Sequence, residues 1–256
     1  MDAPVKTTEA GCRGCRNGVA LPFSFTMAFH PIIDLRRQAI WGYEALVRGT
    51  EGQSAGSILS QVDEQRQYKF DQACRVKAIE LAGQLFPKTE DTRLSINFMP
   101  NAVYEPAACI RTSLETARRV GFDTRRIMFE FTENERMADT KHVARIIAEY
   151  RRLGFITAID DFGAGHAGLN LLANFQTDLI KIDMELIRGI AGSAARQAIL
   201  AGILVMARAL DITIIAEGVE TRDELTILAE AGIDLFQGFL FAKPALESLP
   251  AVSFAG

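Results

Sequence analysis

The residues best equipped for chemistry in this chain are carboxylates that stand inside or directly after short apolar runs. Glu44 lies within Trp41-Gly-Tyr-Glu-Ala-Leu46, and Glu130 within Ile127-Met-Phe-Glu-Phe131. A charge left unpaired in such surroundings costs several kcal/mol, so each of these needs a cationic partner. Asn97, Asp160, Asp161, Lys181, Asp183, Glu217 and Gln237 likewise sit late in or just after apolar runs. A carboxylate after a strand often only caps the next helix, a role open to Asp183 and Glu217. Convergence of all of them on one point would instead call for bound cations. An oxygen-only set of Glu44, Asn97, Glu130, Asp160, Asp161 and Glu217, without histidine, suits Mg²⁺ or Mn²⁺ better than zinc. It offers enough ligands for two ions with a bridging carboxylate, an arrangement that hydrolyses phosphodiesters. Lys181, beside this set, could orient or help deprotonate the attacking water, or simply neutralise the excess of carboxylates.

Positioning these groups falls to alternating short strands and amphipathic helices. The strand-like runs are Ser24–Ile33, Ala39–Val47, Arg93–Phe98, Ile127–Phe131, Ile156–Ile159, Leu179–Ile182, Thr213–Ala216 and Asp234–Phe236. Most are apolar on both faces, as parallel strands covered by helices are. The first two are separated only by the segment around Asp34–Gln38 and read as an antiparallel hairpin. Thr140 starts a helix with Val143, Ile146, Ile147 and Tyr150 on one face and Gly154 as its stop. Thr221-Arg-Asp-Glu224 is a capping box, with Gly232 ending that helix. The pattern predicts one α/β domain, a modified TIM-type (β/α)8 barrel with an antiparallel first strand, whose C-terminal strand ends carry the site. A doubly wound open sheet is the structural alternative, but no G-x-G-x-x-G follows the first run.

Composition narrows the function classes. The chain has 256 residues, 48% hydrophobic and 23% charged, with a net charge of −4. Its Lys and Arg are scattered, which argues against a nucleic-acid polymer as ligand. The most apolar segment, Ile199–Ala216, contains Arg208 and Asp211 and is too short to span a bilayer, so a cytoplasmic protein without membrane insertion is expected. Residues 1–22 read as a flexible tail ahead of a domain at 23–250. Cys12 and Cys15 in that tail form a C-x-x-C, which supplies two of the four ligands a structural zinc wants and reads as reduced thiols. Cys74 and Cys109 lie in helical patterns and are expected in or near the core.

The motifs also resemble a known family. Tyr43-Glu-Ala-Leu-Val-Arg48, Ser95-Ile-Asn97, Phe129-Glu-Phe-Thr-Glu133, Asp160-Asp-Phe-Gly-Ala-Gly165, Lys181-Ile-Asp183, Ala216-Glu-Gly-Val-Glu220 and Gln237-Gly-Phe-Leu-Phe-Ala-Lys-Pro244 are similar to the signatures of EAL domains, in the same order, over roughly residues 25–245. The resemblance implies hydrolysis of cyclic di-GMP to linear 5′-pGpG with two Mg²⁺ or Mn²⁺ ions. It implies metal ligation by Glu44, Asn97, Glu130, Asp160, Asp161 and Glu217, and places Lys181 and Asp183 at the nucleophilic water. Arg48 and Gln237 match substrate-binding positions, and Glu133 an anchor for the loop after Asp160-Asp161. A homodimer is implied, through an apolar stretch at Ala167–Phe175, together with a sensory or cyclase partner. His30 stands where the family usually has Gln, and Ala164 where Thr is more common. Ala167-Gly-Leu-Asn-Leu-Leu172 is similar to a blue-light-regulated subgroup, a likeness confined to the EAL domain. The competing reading is a catalytically weak domain that binds cyclic di-GMP or a partner protein.

Overall fold

The structure, a computed structural model, describes residues 20–88, 90–132, 140–165 and 168–254. Its strands are β1 (Thr26–Asp34), β2 (Ala39–Arg48), β3 (Arg93–Asn97), β4 (Ile127–Thr132), β5 (Ile156–Phe162), β6 (Leu179–Ile182), β7 (Thr213–Ala216), β8 (Leu235–Phe236) and β9 (Ala245–Leu246). The helices are α1 (Ala55–Leu59), α2 (Glu64–Leu85), α3 (Pro106–Cys109), α4 (Arg111–Val120), α5 (Thr140–Arg152), α6 (Gly168–Asn174), α7 (Met184–Ile187), α8 (Ala194–Ala209) and α9 (Arg222–Glu230). Strands β2 to β8 run parallel in sequence order. Strand β1 is antiparallel to both β2 and β8 and closes the barrel between them. The predicted hairpin and modified barrel are therefore what forms. The short β9, which the sequence reading did not anticipate, adds to the free part of the β1 edge through Ala28 and Phe29.

Strand alternation divides the apolar residues between two cores. Ile32, Met128, Ala158, Leu179, Ile215 and Leu235 fill the lower barrel interior. Outward residues such as Ile96, Phe98, Phe129, Phe131, Ile159, Ile180 and Ile182 pack beneath the helices. On the parallel strands, the inward position two residues beyond the floor residue lies higher in the barrel. Applying that step to Met128, Ala158, Leu179, Ile215 and Leu235 reaches Glu130, Asp160, Lys181, Glu217 and Gln237. On the reversed β1 the step runs backward, from Ile32 to His30. An apolar floor thus carries a polar layer.

Helix α5 buries the expected face of Val143, Ile146, Ile147 and Tyr150. Gly154, at φ +85, supplies the left-handed turn that ends it. On α9, Thr221 accepts a hydrogen bond from the Glu224 amide at 3.2 Å, while Glu224 accepts from the amides of Glu220 and Thr221 at 3.1 Å each. Its other carboxylate oxygen accepts from Gly189 N, tying this helix start to the loop after α7. Thr221→Ala should lower stability by about 1 kcal/mol, read as an earlier urea midpoint at unchanged slope. Cys74 and Cys109 are buried free thiols. Cys12 and Cys15 lie outside the described residues. No helix among the described residues is long and apolar enough to cross a membrane.

Candidate active site

The polar layer converges on Lys181, which is fully buried. Its Nζ lies 2.6 Å from Glu217, 3.1 Å from Glu130, 3.1 Å from Asp160 and 3.4 Å from Glu44. Asn97 donates through Nδ2 to Glu44 at 2.9 Å and to Glu130 at 3.0 Å. Gln237 donates to the second Glu44 oxygen at 3.0 Å. Ser95, one inward step below Asn97, donates to Glu130 at 2.5 Å. Its hydroxyl has a place in the cluster that the sequence reading did not give it, although strand alternation from Asn97 points to it. His30, opposite Glu44 across β1 and β2, has Nε2 3.2 Å from Ala242 O. A carbonyl can only accept, so this nitrogen carries the hydrogen.

Consecutive Asp160 and Asp161 both reach the mouth because β5 is irregular there. The β5–β6 register shifts between Ile159 and Phe162, and Asp161 takes a left-handed φ of +53. A bulge of this kind re-aims a side chain that strict alternation would send outward. On the other side, a Cβ at Gly238 would collide with the Val219 carbonyl, which in turn accepts from Leu240 N. The glycine lets the loops after β7 and β8 cross at contact distance beside Glu217 and Gln237.

Five carboxylates against one ammonium leave a large negative excess in a dry place. Burial pushes Glu130 and Glu217 well above the usual carboxylate range, with Asp160 and Glu44 adding to the effect. Burial, then Asp160 and Asp183, raises Asp161 to about 6. Burial would raise Glu44 too, but Lys181 together with hydrogen bonds from Glu130 and Gln237 holds it at about 2. Burial works against the charge on Lys181, yet the surrounding carboxylates, Asp160 first, keep it firmly protonated.

Cation-binding geometry is present in two overlapping groups. Oxygens of Glu44, Glu130 and Asp160 lie within 4.8 Å of one another, as do those of Asp160, Asp161 and Glu217. Asp160 belongs to both, and its buried Oδ1 lies 3.1 Å from the Lys181 ammonium. The donor set therefore fits hard divalent cations. The Asn97 amide as placed turns nitrogen into the cluster, so ligation by its oxygen requires the amide to flip. Beside the acids lies a cavity of about 600 Å³, walled on its other side by Leu59, Phe70, Asp71 and Met99. Such a volume suits a small molecule with an apolar part.

Not every expected residue joins the cluster. Asp183 caps α7, accepting from Glu185 N at 2.7 Å, as its simpler reading foresaw, and it also faces Asp161. Glu217, open to the same reading, instead pairs with Lys181. Arg48, at the end of β2, donates to Val47 O at 2.7 Å and lies outside the carboxylate group. Glu133 falls outside the described residues.

Acidic groups gathered at the C-terminal mouth of a closed β/α barrel mark a protein whose chemistry belongs at that mouth. The EAL domain model matches residues 22–244, and the chain belongs to that family. A standalone versatile EAL protein from Vibrio cholerae O395, solved in a c-di-GMP bound form, is 53% identical with a TM-score of 0.88, covering 93% of this chain and all of that one. Klebsiella pneumoniae BlrP1, in a manganese/cy-diGMP complex, is 35% identical with a TM-score of 0.82, over 90% of this chain and 58% of that one. The blue light- and temperature-regulated antirepressor BluF of Escherichia coli is 35% identical over 227 residues, 89% of this chain and 56% of the relative. Other relatives, at 28% to 36% identity, carry the name cyclic di-GMP phosphodiesterase. The chain spans little more than half, or less, of the curated relatives it matches.

Proposed function

We propose that this chain hydrolyses cyclic di-GMP to linear 5′-pGpG. Water adds to one phosphorus, that phosphorus–O3′ bond breaks, and the departing 3′ oxygen takes up a proton. The observation that carries the reading is the pair of carboxylate groups sharing Asp160 around buried Lys181. Glu44, Asn97, Glu130, Asp160, Asp161 and Glu217 would hold two Mg²⁺ or Mn²⁺ ions. When bound, such ions polarise phosphoryl oxygens and acidify water at neutral pH. Lys181, held protonated by its carboxylates, stands ready to orient a water and stabilise negative charge near phosphorus. Asp183, facing Asp161, accepts from that water. Arg48 pairs with a substrate phosphate, and Gln237, through its contact with Glu44, borders the substrate. The cavity beside the acids accommodates a nucleotide base against its apolar wall.

A binding module is the second reading, favoured by the likeness to an antirepressor. Fluorescent cyclic di-GMP binding in chelator, followed by addition of Mg²⁺, separates the two. An enzyme converts the bound nucleotide once the ion is supplied, whereas a receptor holds it unchanged. The reading sets the chain in the cytoplasm, with a sensory or cyclase partner supplying regulation.

Two subsidiary proposals have their own tests. Glu133 anchors the loop after Asp161, so Glu133→Ala should fold normally and bind nucleotide while losing most turnover and needing about 10–100-fold more Mg²⁺. Unchanged turnover and Mg²⁺ demand would make it an ordinary surface charge. The chain also forms a homodimer near α6. Of the apolar residues expected there, Leu171, Leu172 and Phe175 belong to the core, leaving Leu169, 67% exposed, to meet a second copy. Light scattering should show a dimer that Leu169→Glu weakens; a monomer at high micromolar concentration would refute it.

A further inference from the structure

Among the described residues outside the polar layer, the largest buried charged side chain is Arg75 on α2, with none of its surface exposed. Its Nη2 lies 2.7 Å from Asp71 Oδ2, and its Nη1 donates to Tyr150 OH at 2.7 Å. The guanidinium carbon sits 5.3 Å from the ring centres of both Phe98 and Phe129 and 5.9 Å from that of Tyr150. These distances are within cation–π range. Asp71 also accepts a hydrogen bond from Met99 N at 2.9 Å and forms part of the cavity wall.

The sequence positions of these partners matter. Phe98 and Met99 directly follow Asn97, and Phe129 directly precedes Glu130. Because neighbours on a strand point to opposite faces, gripping Phe98 and Phe129 from outside the barrel sets where Asn97 and Glu130 point inside it. Phe98 N also donates to Glu130 O at 2.9 Å, joining the two strand ends. Met99 begins the turn into the 3₁₀ segment Pro100–Ala102, and its amide is held by Asp71. A buried ion pair made only for stability is often replaceable by apolar residues. This one instead holds the backbone next to a candidate ligand.

We propose that Asp71 and Arg75 are positioning residues for the cation site, acting on Asn97 through Phe98 and Met99 and on Glu130 through Phe129. The proposal rests on the metal-binding reading above. Outer supports of metal ligands typically change affinity by about 10–100-fold when lost.

The test is Mn²⁺ binding to the full chain without nucleotide, followed by electron paramagnetic resonance of the free ion. Asp71→Leu/Arg75→Met removes both charges together and should weaken Mn²⁺ binding by about 10–100-fold with a small change in thermal midpoint. Asp71→Asn/Arg75→Met restores an acceptor for Met99 N and should recover part of that affinity, the share carried through Met99 rather than through Arg75. Equal affinities in both double variants, whether at the wild-type value or equally reduced, would overturn the proposal. Should the first double variant not fold, Tyr150→Phe, which removes only the hydroxyl holding Arg75, decides it. A weakened Mn²⁺ affinity supports the proposal, and a wild-type value overturns it. Wild-type protein that binds no Mn²⁺ would overturn the metal reading, and this proposal with it. Wild-type binding with unaffected variants would overturn the positioning role alone.

Discussion

Stripped of divalent cations, this chain should show no hydrolysis of cyclic di-GMP above background, and Mg²⁺ or Mn²⁺ should restore it. The expectation follows from charge. Glu44, Glu130, Asp160, Asp161 and Glu217 crowd around Lys181, and one ammonium cannot neutralise them. Burial opposes the charged forms of Glu130 and Glu217, and added cations offset that cost. Carboxylates alone repel an anionic phosphate, and a metal ion held by them in deprotonated form supplies the missing positive charge. Ca²⁺ should occupy the site yet fail to support turnover, because its larger and looser shell places oxygens less strictly than Mg²⁺. Initial rates after exhaustive chelation and readdition of each ion measure this. Full activity in excess chelator would remove the mechanism.

The second large effect is expected from single substitutions at the centre of the cluster. Glu44→Ala deletes the acceptor shared by Asn97, Lys181 and Gln237, so it removes a proposed ligand and frees three neighbours together. Turnover should nearly vanish. Lys181→Ala should leave cyclic di-GMP binding measurable while lowering kcat by ~10² or more, the usual scale for a positioned acid–base group. Lys181 also neutralises the cluster, so its loss should make the site more dependent on added cations. Comparing kcat with the nucleotide dissociation constant for each variant separates these roles. Near-wild-type turnover in either variant would withdraw the role assigned to that residue.

How far these features could be read from the chain alone depends on whether local pattern or tertiary geometry sets them. The barrel strands were visible because each apolar run is short, and the β1–β2 hairpin because only a few residues separate its arms. The α9 capping box was visible because its determinants lie within four consecutive residues, Thr221 to Glu224. Lys181 was legible as a neighbour of the acids, since β6 ends there, but its place at their centre comes from barrel closure. The bulge at Asp160–Asp161 was not legible, because its left-handed residue is an aspartate and not a glycine. Asp71 and Arg75 carry the spacing of an ordinary surface pair on a helix, and only the packing of α2 over Phe98 and Phe129 buries them. Strand β9 is too short to leave a periodic signal, and Asp183 could be read equally as a cap or as a site residue because it lies beside both.

The central claim is that this site breaks a phosphodiester by adding water to phosphorus. Its most direct test is the product formed from cyclic di-GMP in ¹⁸O-water, with Mg²⁺ and with chelator, resolved by mass spectrometry. The account predicts linear pGpG carrying one ¹⁸O on its 5′-phosphate in the Mg²⁺ sample, and intact cyclic di-GMP in the chelated one. Intact nucleotide in both samples, or a linear product formed equally in chelator, would contradict it.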